Sequence, residues 1–354
     1  MGVNNMNVLS LFNGMSFGRM ALDTMGVTVN RYYSSEIDKY ANQAAQALFP
    51  DTIQLGDVTQ WREWDIDWAS IDLVTGGFPC QAWSMAGKQL GDKDERGMLF
   101  WTMLDIMKHI KYHNPKVDFL IENVKMKKEF EQYITAHTEN ALGHVHKILI
   151  NGALVSAQNR NRYYWTSFEV EQPEDSKTIL VDIIEDLPSC PIGIAVRDKS
   201  NTLRVGGKNS PFNSKQVWGS PFKRVTKKGK DKVSTEKSAC LTAGANSGGN
   251  HSDMDILVIQ TPRGNNPGGE RALDGKAPCM SANSWQHNNH VSIDYIVRRF
   301  SVRECFRLQT VPEHHIDTLL SAGISNTQLY KMCGNGWTHD VITHILKHKF
   351  KEGK

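Results

Sequence analysis

A chain of 354 residues, 40% hydrophobic and 22% charged, is long enough for one large globular domain with an insertion, or for two domains. It holds no apolar run of about 18 residues and begins without a basic-then-apolar signal segment, so we expect a cytoplasmic protein that neither spans a membrane nor is secreted. The six cysteines include no close pair at zinc-ligand spacing, and we therefore expect free thiols and no metal centre.

The predicted elements of residues 1–165 alternate between short apolar runs and amphipathic stretches, as βαβ units do. The predicted strands lie at 8–12, 32–35, 71–75, 118–121, 146–150 and 163–166. The predicted helices lie between the first turn and Gly26, at 39–48 and at 98–110. The fold class that follows is α/β, with a doubly wound, mostly parallel sheet.

The character of the sequence changes near Leu187, after which the chain is rich in Gly, Ser, Asn and Lys and predicts short strands. A weak repeat places Lys199, Lys237 and Lys276 at the head of similar segments, 38 and 39 residues apart. Helical patterns return only after residue 295. We therefore predict an N-terminal part at 1–185, an inserted smaller β-rich domain at 186–294, and a C-terminal part at 295–354 that completes the first.

The net charge of +3 is unevenly distributed between these parts. Residues 186–294 carry 15 Lys and Arg against 9 Asp and Glu, whereas the rest of the chain has a slight acidic excess. The densest basic run, KRVTKKGKDK at 223–232, contains Lys227, Lys228 and Lys230. A basic region beside a near-neutral body is typical of a protein that binds a polyanion, although the run by itself indicates no more than a solvated loop.

Chemically unusual residues follow the ends of several predicted strands, where ligands bind in open α/β sheets. The turn FNGMSFG at 12–18 contains Gly14 and Gly18, which let the backbone pass close to a cofactor before a helix begins. Glu36 ends the second strand, and its carboxylate can accept hydrogen bonds from two ribose hydroxyls. Since the chain has neither a phosphate-loop lysine nor a pyrophosphate-binding fingerprint, a nucleoside cofactor without a pyrophosphate fits better than a dinucleotide.

Five segments, in order along nearly the whole chain, resemble the motifs of the DNA cytosine-5 methyltransferase family. GGFPCQAWS at 76–84 resembles its Pro-Cys nucleophile loop, and ENV at 122–124 resembles the Glu-Asn-Val motif that recognises cytosine. QNRNR at 158–162 and RECFRLQ at 303–309 are similar to its Gln-x-Arg-x-Arg and Arg-Glu-x-x-Arg-Leu-Gln segments. GNGW at 334–337 stands where the family has Gly-Asn-Ser/Ala-Val.

Two of the motifs depart from the common family pattern. The turn at 12–18, which stands where the family has its first motif, reads FNGMSFG rather than Phe-x-Gly-x-Gly-Gly. The segment at 334–337 ends in Trp337 rather than valine. Together with SAQNRNRYYW at 156–165, these features are similar to the branch that contains phage enzymes and the animal de novo methyltransferases. A compact chain without a regulatory module is typical of a bacterial or phage enzyme. The sequence does not decide between the partner of a restriction enzyme, a protective phage enzyme and a solitary regulator.

The resemblance implies a reaction in which Cys80 is the nucleophile. A thiolate is strongly nucleophilic and can later leave, which suits addition to C6 of a cytosine followed by release. Glu122 would hydrogen-bond or protonate N3 as electrons enter the ring, and Arg162 would neutralise charge that develops on O2. The methyl donor would be S-adenosylmethionine, and the target base would be flipped out of double-stranded DNA.

The resemblance also implies two sets of binding residues. The S-adenosylmethionine pocket would be formed by Phe12, Gly14, Gly18, Glu36, Asp57, Val58, Pro79, Leu99 and Asn335. The DNA would be contacted by Gln81, Ser84, Arg96, Arg160, Lys227, Lys228 and Lys230, and the β-rich insertion would act as the target-recognition domain in the major groove. Phe12 and Leu99 could equally be core residues, Arg160 could instead position a loop, and the DNA set could equally be ordinary surface residues.

Three other interpretations fit parts of the sequence. The tRNA-methylating branch of the family has similar catalytic motifs, but the large basic insertion argues against it. The intact Cys80, Glu122 and Arg162 argue against a non-catalytic DNA-binding regulator. A nucleotide-dependent oxidoreductase is disfavoured because no second cysteine lies near Cys80 and no pyrophosphate-binding turn is present. We expect a monomer that needs no protein partner.

Overall fold

The structure is a computed structural model that describes residues 5–79, 97–185, 277, 279 and 300–350, together with short strand segments at 223–225, 231–233, 257–260, 269–271, 289–293 and 296–299. None of the helices in these ranges is long and apolar enough to cross a lipid bilayer.

A seven-stranded sheet in the order β3-β2-β1-β4-β5-β7-β6 forms the centre of the fold. Its strands are β1 (Met6–Leu11), β2 (Val29–Ser35), β3 (Ile53–Gln54), β4 (Leu73–Gly76), β5 (Asp118–Val124), β6 (His146–Asn151) and β7 (Asn161–Thr166). β7 runs antiparallel to both of its neighbours, and the other pairings are parallel. The predicted α/β class with a doubly wound, mostly parallel sheet is confirmed, and the arrangement is that of S-adenosylmethionine-dependent methyltransferases.

Helices cover both faces of this sheet. The helices are α1 (Phe17–Thr24), α2 (Lys39–Leu48), α3 (Met98–His113), α4 (Lys128–Leu142), α5 (Val302–Leu308), α6 (Glu313–Ser321), α7 (Asn326–Asn335) and α8 (His339–Lys349). Because successive residues of a strand point to opposite faces, Leu9 of β1 packs in a buried cluster with α3, whereas the neighbouring Val8 packs in another with α1 and α8. The C-terminal helix therefore packs against the N-terminal sheet.

Side-chain caps explain where two of the helices begin. The Asp38 carboxylate accepts hydrogen bonds from the N–H groups of Tyr40 and Ala41 at the start of α2. At the start of α5, Ser301 Oγ accepts from the Glu304 N–H at 3.1 Å, and Glu304 Oε2 accepts from the Ser301 N–H at 2.7 Å. This reciprocal capping box satisfies two backbone donors that the helix itself leaves unpaired.

The structure differs from the sequence-based elements at several points. Strand β3, which has only two residues, both exposed, was not predicted. Helices α4 and α6 were not predicted, because polar residues interrupt their apolar faces; α4 buries Glu131 and Thr138 beside Ile134 and Leu142. Strand β5 continues through Val124, since β7 pairs with it beyond the end of β4. The motif at 122–124 therefore lies within a strand and not after it.

Short strands between residues 223 and 299 form two further sheets. β8 (Lys223–Val225) pairs with β9 (Asp231–Val233). A four-stranded antiparallel sheet has the order β11-β10-β12-β13. Its strands are β10 (Leu257–Gln260), β11 (Gly269–Arg271), β12 (Asn289–Ile293) and β13 (Ile296–Arg299). This sheet extends past the predicted boundary at 294, because β13 forms a hairpin with β12; the division into domains otherwise stays a prediction.

Ala277 joins this region to the segment between β6 and β7. Its N–H donates to Ala157 O at 2.7 Å, its carbonyl accepts from the Asn159 N–H at 2.9 Å, and its side chain is fully buried. The contact brings Cys279 next to the arginines of the QNRNR segment.

Candidate active site

The candidate site lies at the carboxyl ends of β1, β2, β4 and β5. β1 and β4 are adjacent in the sheet, but the chain leaves them in opposite directions, to β2 on one side and to β5 on the other. In open α/β sheets such a switch point forms the crevice in which ligands bind.

An ion pair between Glu122 and Arg162 is the central feature of this site. The register of β5 and β7 places Glu122 opposite Tyr164 and Arg162 opposite Val124, so the two side chains are diagonal neighbours on one face. Arg162 Nε lies 2.9 Å from Glu122 Oε1.

Glu122 is only 8% exposed, and its environment changes its acidity. Burial raises the pKa of the carboxyl, whereas the guanidinium groups of Arg162 and Arg160 and the indole N–H of Trp337 act in the opposite direction. Burial outweighs these partners, so the pKa lies above its ordinary value. A carboxyl that holds its proton more readily is suited to donating it to a base near neutral pH.

Trp337 is a site residue that the sequence analysis did not assign. Its Nε1 donates to Glu122 Oε2 at 3.1 Å, across 215 positions of sequence. A Cβ at Gly77 would lie 3.1 Å from both of these atoms, so a side chain there fits only if these two groups shift by a few tenths of an ångström. The sequence signal was the departure of the last motif from valine.

The backbone that leads to Cys80 is tied to the same strand. Asn123 Nδ2 donates to the carbonyl of the buried Phe78 at 3.0 Å, and Asn123 Oδ1 accepts from the Val124 N–H at 2.8 Å. Pro79 follows and is half-buried. Asn123 thus attaches the start of the Pro-Cys segment next to Glu122.

Several predicted residues lie outside the described part of the chain, and their assignments stay predictions. They are Cys80, Gln81, Ser84, Arg96, Lys227, Lys228 and Lys230.

The predicted cofactor turn has an unusual backbone. Phe12, Gly14 and Ser16 all have positive φ angles, of 56°, 57° and 71°. Residues other than glycine rarely adopt positive φ angles, and residues with this strained backbone cluster at ligand-binding sites. The Gly14 N–H donates to Glu36 Oε2 at 2.8 Å, which joins the turn to the end of β2.

Glu36 is already partly satisfied by backbone donors. Its Oε1 accepts from the N–H groups of Ile37 and Asp38 at 2.8 and 2.9 Å, and its Oε2 accepts from Gly14. Because a carboxylate has about four lone-pair positions, one position on Oε2 remains. The carboxylate can therefore accept from one ribose hydroxyl without losing a partner, rather than from the two expected.

The other predicted cofactor residues fall into two groups. Phe12, Val58 and Leu99 belong to one hydrophobic cluster beside the sheet, and Asp57 caps the short 3-10 helix that follows it by accepting from the Thr59 N–H. Gly18 lies in the first turn of α1, where a Cβ would be 3.7 Å from Trp337. Asn335 is exposed at the last residue of α7, and its role stays a prediction.

Arg160 lies inside the molecule and not at its surface. It is 3% exposed, and its Nη2 donates to the carbonyls of Gly334 at 3.3 Å and Gly336 at 2.6 Å. A buried guanidinium needs such acceptors to compensate for lost water. We therefore revise the predicted DNA contact: Arg160 is placed to hold the loop that carries Trp337.

Cys279 lies against both arginines of the QNRNR segment. Arg160 Nη1 is 3.3 Å and Arg162 Nη2 is 3.9 Å from its Sγ. Burial opposes ionisation of this thiol, but the two guanidinium groups outweigh burial and lower its pKa. The sequence signal was the repeated segment that begins at Lys276.

Potential metal-ligating atoms come together at one place in the described chain, where those of Asp23, His314 and His315 lie within 4.8 Å of one another. This group lies between the C-terminus of α1 and the N-terminus of α6. The candidate site is at the opposite, N-terminal end of α1. The expectation of no metal stays a prediction.

The arrangement of Glu122, Arg162 and the Pro-Cys segment agrees with the family comparison. A model of the family described as C-5 cytosine-specific DNA methylase matches residues 6–351. The chain belongs to this family. As a member, this cytosine-5 methyltransferase takes its methyl group from S-adenosylmethionine.

Curated relatives of this methyltransferase are found in bacteria and phage. It is 28% identical to the type II methyltransferase M1.ScrFI of Lactococcus lactis subsp. cremoris, over 98% of this chain and 78% of the relative. It is 26% identical to the orphan methyltransferase M.SPRI of Bacillus phage SPR, over 98% of this chain and 97% of the relative. The crystal structure of the S. pombe Dnmt2 methyltransferase has the same fold, with a TM-score of 0.58 and 14% identity over 98% of this chain and 99% of that one.

The described residues fit the methyl donor of the family. The strained turn at Phe12 to Ser16 leaves open space beside Gly14, where a Cβ would have no neighbour within 4 Å. Glu36 retains a free acceptor position at the same edge of the sheet, next to the apolar side chains of Phe12 and Val58. A nucleoside needs an apolar surface for its base and an acceptor for its ribose, and both are present.

Proposed function

We propose that this chain methylates C5 of a cytosine in double-stranded DNA, after the base has been flipped out of the duplex. The observation that carries the proposal is the buried Glu122–Arg162 pair directly beside the backbone that leads to Cys80. A base stacked in a duplex cannot reach such a crevice, so the target nucleotide has to be extruded.

In the proposed mechanism Cys80 and Glu122 act on opposite sides of the reacting ring system. The Cys80 thiolate forms a bond to C6, the electron pair of the C5–C6 double bond moves to the C4–C5 bond, and the pair of the C4–N3 double bond moves onto N3, so that C5 becomes nucleophilic. Glu122 supplies a proton or a strong hydrogen bond to N3, and its raised pKa supports that role. Arg162 stabilises the charge that develops on O2, with its guanidinium already positioned by Glu122.

The methyl donor is held by residues at the ends of β1 and β2. Bound S-adenosylmethionine supplies an electrophilic methyl group. We assign Glu36 to a ribose hydroxyl and Phe12 and Val58 to the apolar surface for the nucleoside, with Gly14 leaving open space for it and Gly18 at the start of α1 bordering the pocket. Asp57, Pro79, Leu99 and Asn335 complete the proposed pocket. After methylation the N3 proton returns to Glu122 and the C5 proton passes to a water molecule. The C5–C6 double bond then re-forms and the Cys80 thiolate is expelled.

The basic insertion supports DNA as the substrate. We assign Lys227, Lys228 and Lys230 to phosphate contacts, and Gln81, Ser84 and Arg96 to the DNA around the vacated position. The insertion as a whole is proposed to be the target-recognition domain, and a cytoplasmic monomer remains our expectation.

The substrate is tested by transfer of labelled methyl groups from S-adenosylmethionine to duplex DNA and, in parallel, to tRNA. We expect labelling of DNA that Cys80→Ser abolishes, while DNA binding is retained. Labelling of tRNA alone would replace DNA by tRNA as the substrate, and full activity of Cys80→Ser would overturn the mechanism.

A further inference from the structure

Glu122 is held by two donors that come from distant parts of the chain. Arg162 Nε on β7 lies 2.9 Å from Oε1, and Trp337 Nε1, which follows α7, lies 3.1 Å from Oε2. Each carboxylate oxygen thus has its own side-chain donor, which leaves the carboxyl little freedom to rotate.

Trp337 is held in place by hydrogen bonds of the residues that precede and follow it in the chain. Before it, Arg160 Nη2 donates to the Gly336 carbonyl at 2.6 Å. After it, Thr338 Oγ1 donates to Gln309 Oε1 at 3.1 Å, and both residues are buried. The indole ring is therefore attached to Glu122 by a loop that is itself fixed.

The chemistry of the indole gives this contact a direction. An indole N–H can only donate, so it stabilises the ionised form of Glu122 and disfavours the protonated form. N3 of cytosine is an acceptor, so Glu122 has to present a proton to it. The valine of the common family pattern at this position has no side-chain N–H, so it could not make this contact.

We propose that Trp337 is a positioning residue, which orients Glu122 for the target cytosine and opposes its protonation until the base arrives. The proposal rests on the proposed role of Glu122. It also gives Arg160 a function, since Arg160 holds the loop from which the indole reaches the carboxylate.

The other described groups that face Glu122 are the guanidinium groups of Arg162 and Arg160 and the phenol of Tyr164. The pKa of Tyr164 is raised by burial first and then by the charge of Glu122. Cys279 lies behind the two arginines and has a lowered pKa, so it is the neighbour whose titration has to be controlled. The variant Cys279→Ser removes that titration and serves as the background.

The test is the pH dependence of kcat/KM for DNA methylation in the Cys279→Ser background. Glu122→Gln has no carboxyl to titrate. The limb of the pH profile that is missing from its residual activity is therefore the limb due to Glu122. Trp337→Phe keeps an aromatic ring but loses the indole N–H, so the ionised form of Glu122 is less stabilised. We therefore expect the limb of Glu122 to move to higher pH by about one unit. The KM for S-adenosylmethionine should change little, whereas a ring that only packs against the cofactor would raise that KM and leave the pH profile unchanged.

Gly77→Ala tests the same contact without changing Trp337. The added methyl group would lie 3.1 Å from both Glu122 Oε2 and Trp337 Nε1, so it should push the two apart and shift the limb in the same direction. This variant keeps the test available if Trp337→Phe does not fold.

The two proposals fail in different ways. An unshifted limb in a folded Trp337→Phe or Gly77→Ala protein, with the limb absent in Glu122→Gln, would overturn the role of Trp337 alone. Parental activity and an unchanged profile in Glu122→Gln would overturn the proposed function of Glu122 itself.

Discussion

Two regions of the molecule contain a buried glutamate within a family motif, and the two glutamates have different partners. Glu122 on β5 is held by the side chains of Arg162 and Trp337. Glu304 on α5 accepts instead from backbone N–H groups, those of Ser301 at 2.7 Å and Glu185 at 2.9 Å. Hydrogen bonds from backbone N–H groups at the start of a helix stabilise the fold. Side-chain donors beside a crevice can give up their hydrogen bond when a substrate binds.

The comparison shows that a motif does not by itself identify a catalytic group. Both glutamates lie in segments that resemble the family, and both are buried. The type of donor and the position relative to the carboxyl ends of the strands separate them. A similar difference separates two arginines. Arg160 donates to the carbonyls of Gly334 and Gly336, whereas Arg162 forms an ion pair with Glu122 in addition to its hydrogen bond to the Asn161 carbonyl.

The largest effect should separate the two glutamates. Glu122→Gln removes the proposed proton donor and should lower kcat by about 10²- to 10⁴-fold with little loss of folded protein. The matched variant Glu304→Gln should keep kcat per folded molecule but lower the free energy of unfolding by about 1–2 kcal/mol, because charge-assisted hydrogen bonds weaken. Steady-state kinetics and urea denaturation measure both quantities, and a similar loss of kcat in the two variants would remove the distinction.

The two arginines should separate in the same way. Arg162→Met removes charge at the site and should lower kcat by about 10²-fold. Arg160→Met leaves the carbonyls of Gly334 and Gly336 without their donor, and should lower the free energy of unfolding by about 2–4 kcal/mol. Urea denaturation of both variants provides the check; an unchanged stability of Arg160→Met would mean that its hydrogen bonds do not hold the loop at Gly334 and Gly336.

The sequence predicted the other strands of the central sheet because they are apolar and bounded by turns, whereas the exposed two-residue β3 carries no such pattern and was missed. Helices α4 and α6 were missed because their apolar faces are interrupted by polar residues. The contact of Trp337 with Glu122 joins positions 215 residues apart, and no local pattern contains it. Arg160 and Arg162 stand two residues apart in one motif, so only the tertiary structure could assign one to a loop and the other to Glu122.

DNA binding should distinguish the basic insertion from the buried arginine. Replacing Lys227, Lys228 and Lys230 by alanine should weaken binding to all sequences and reduce the salt slope of log K by up to about 3, since each phosphate contact contributes about 0.9. Arg160→Met should leave that slope unchanged. Binding measured over a series of salt concentrations gives both slopes, and an unchanged slope in the triple variant would mean that these lysines only solvate a loop.

The smallest effect concerns stability against pH. The pKa of Glu122 is raised in the folded protein by burial, so the folded state binds the proton more tightly than the unfolded state. Stability should therefore fall as pH rises from the ordinary pKa of glutamate through the raised value. Glu122→Gln should lose this fall, and thermal unfolding as a function of pH would show it; parallel curves for the parent and the variant would contradict the raised pKa.

The most direct test of the account is a map of genomic 5-methylcytosine by bisulfite sequencing after expression in a methylation-deficient bacterial host. The parent, Cys80→Ala, Glu122→Gln and Glu304→Gln would be compared at equal amounts of folded protein. The account predicts methylation within one short sequence motif for the parent and Glu304→Gln, strong reduction for Glu122→Gln, and none for Cys80→Ala. Parental methylation in Cys80→Ala or Glu122→Gln, or none from the folded parent, would contradict it.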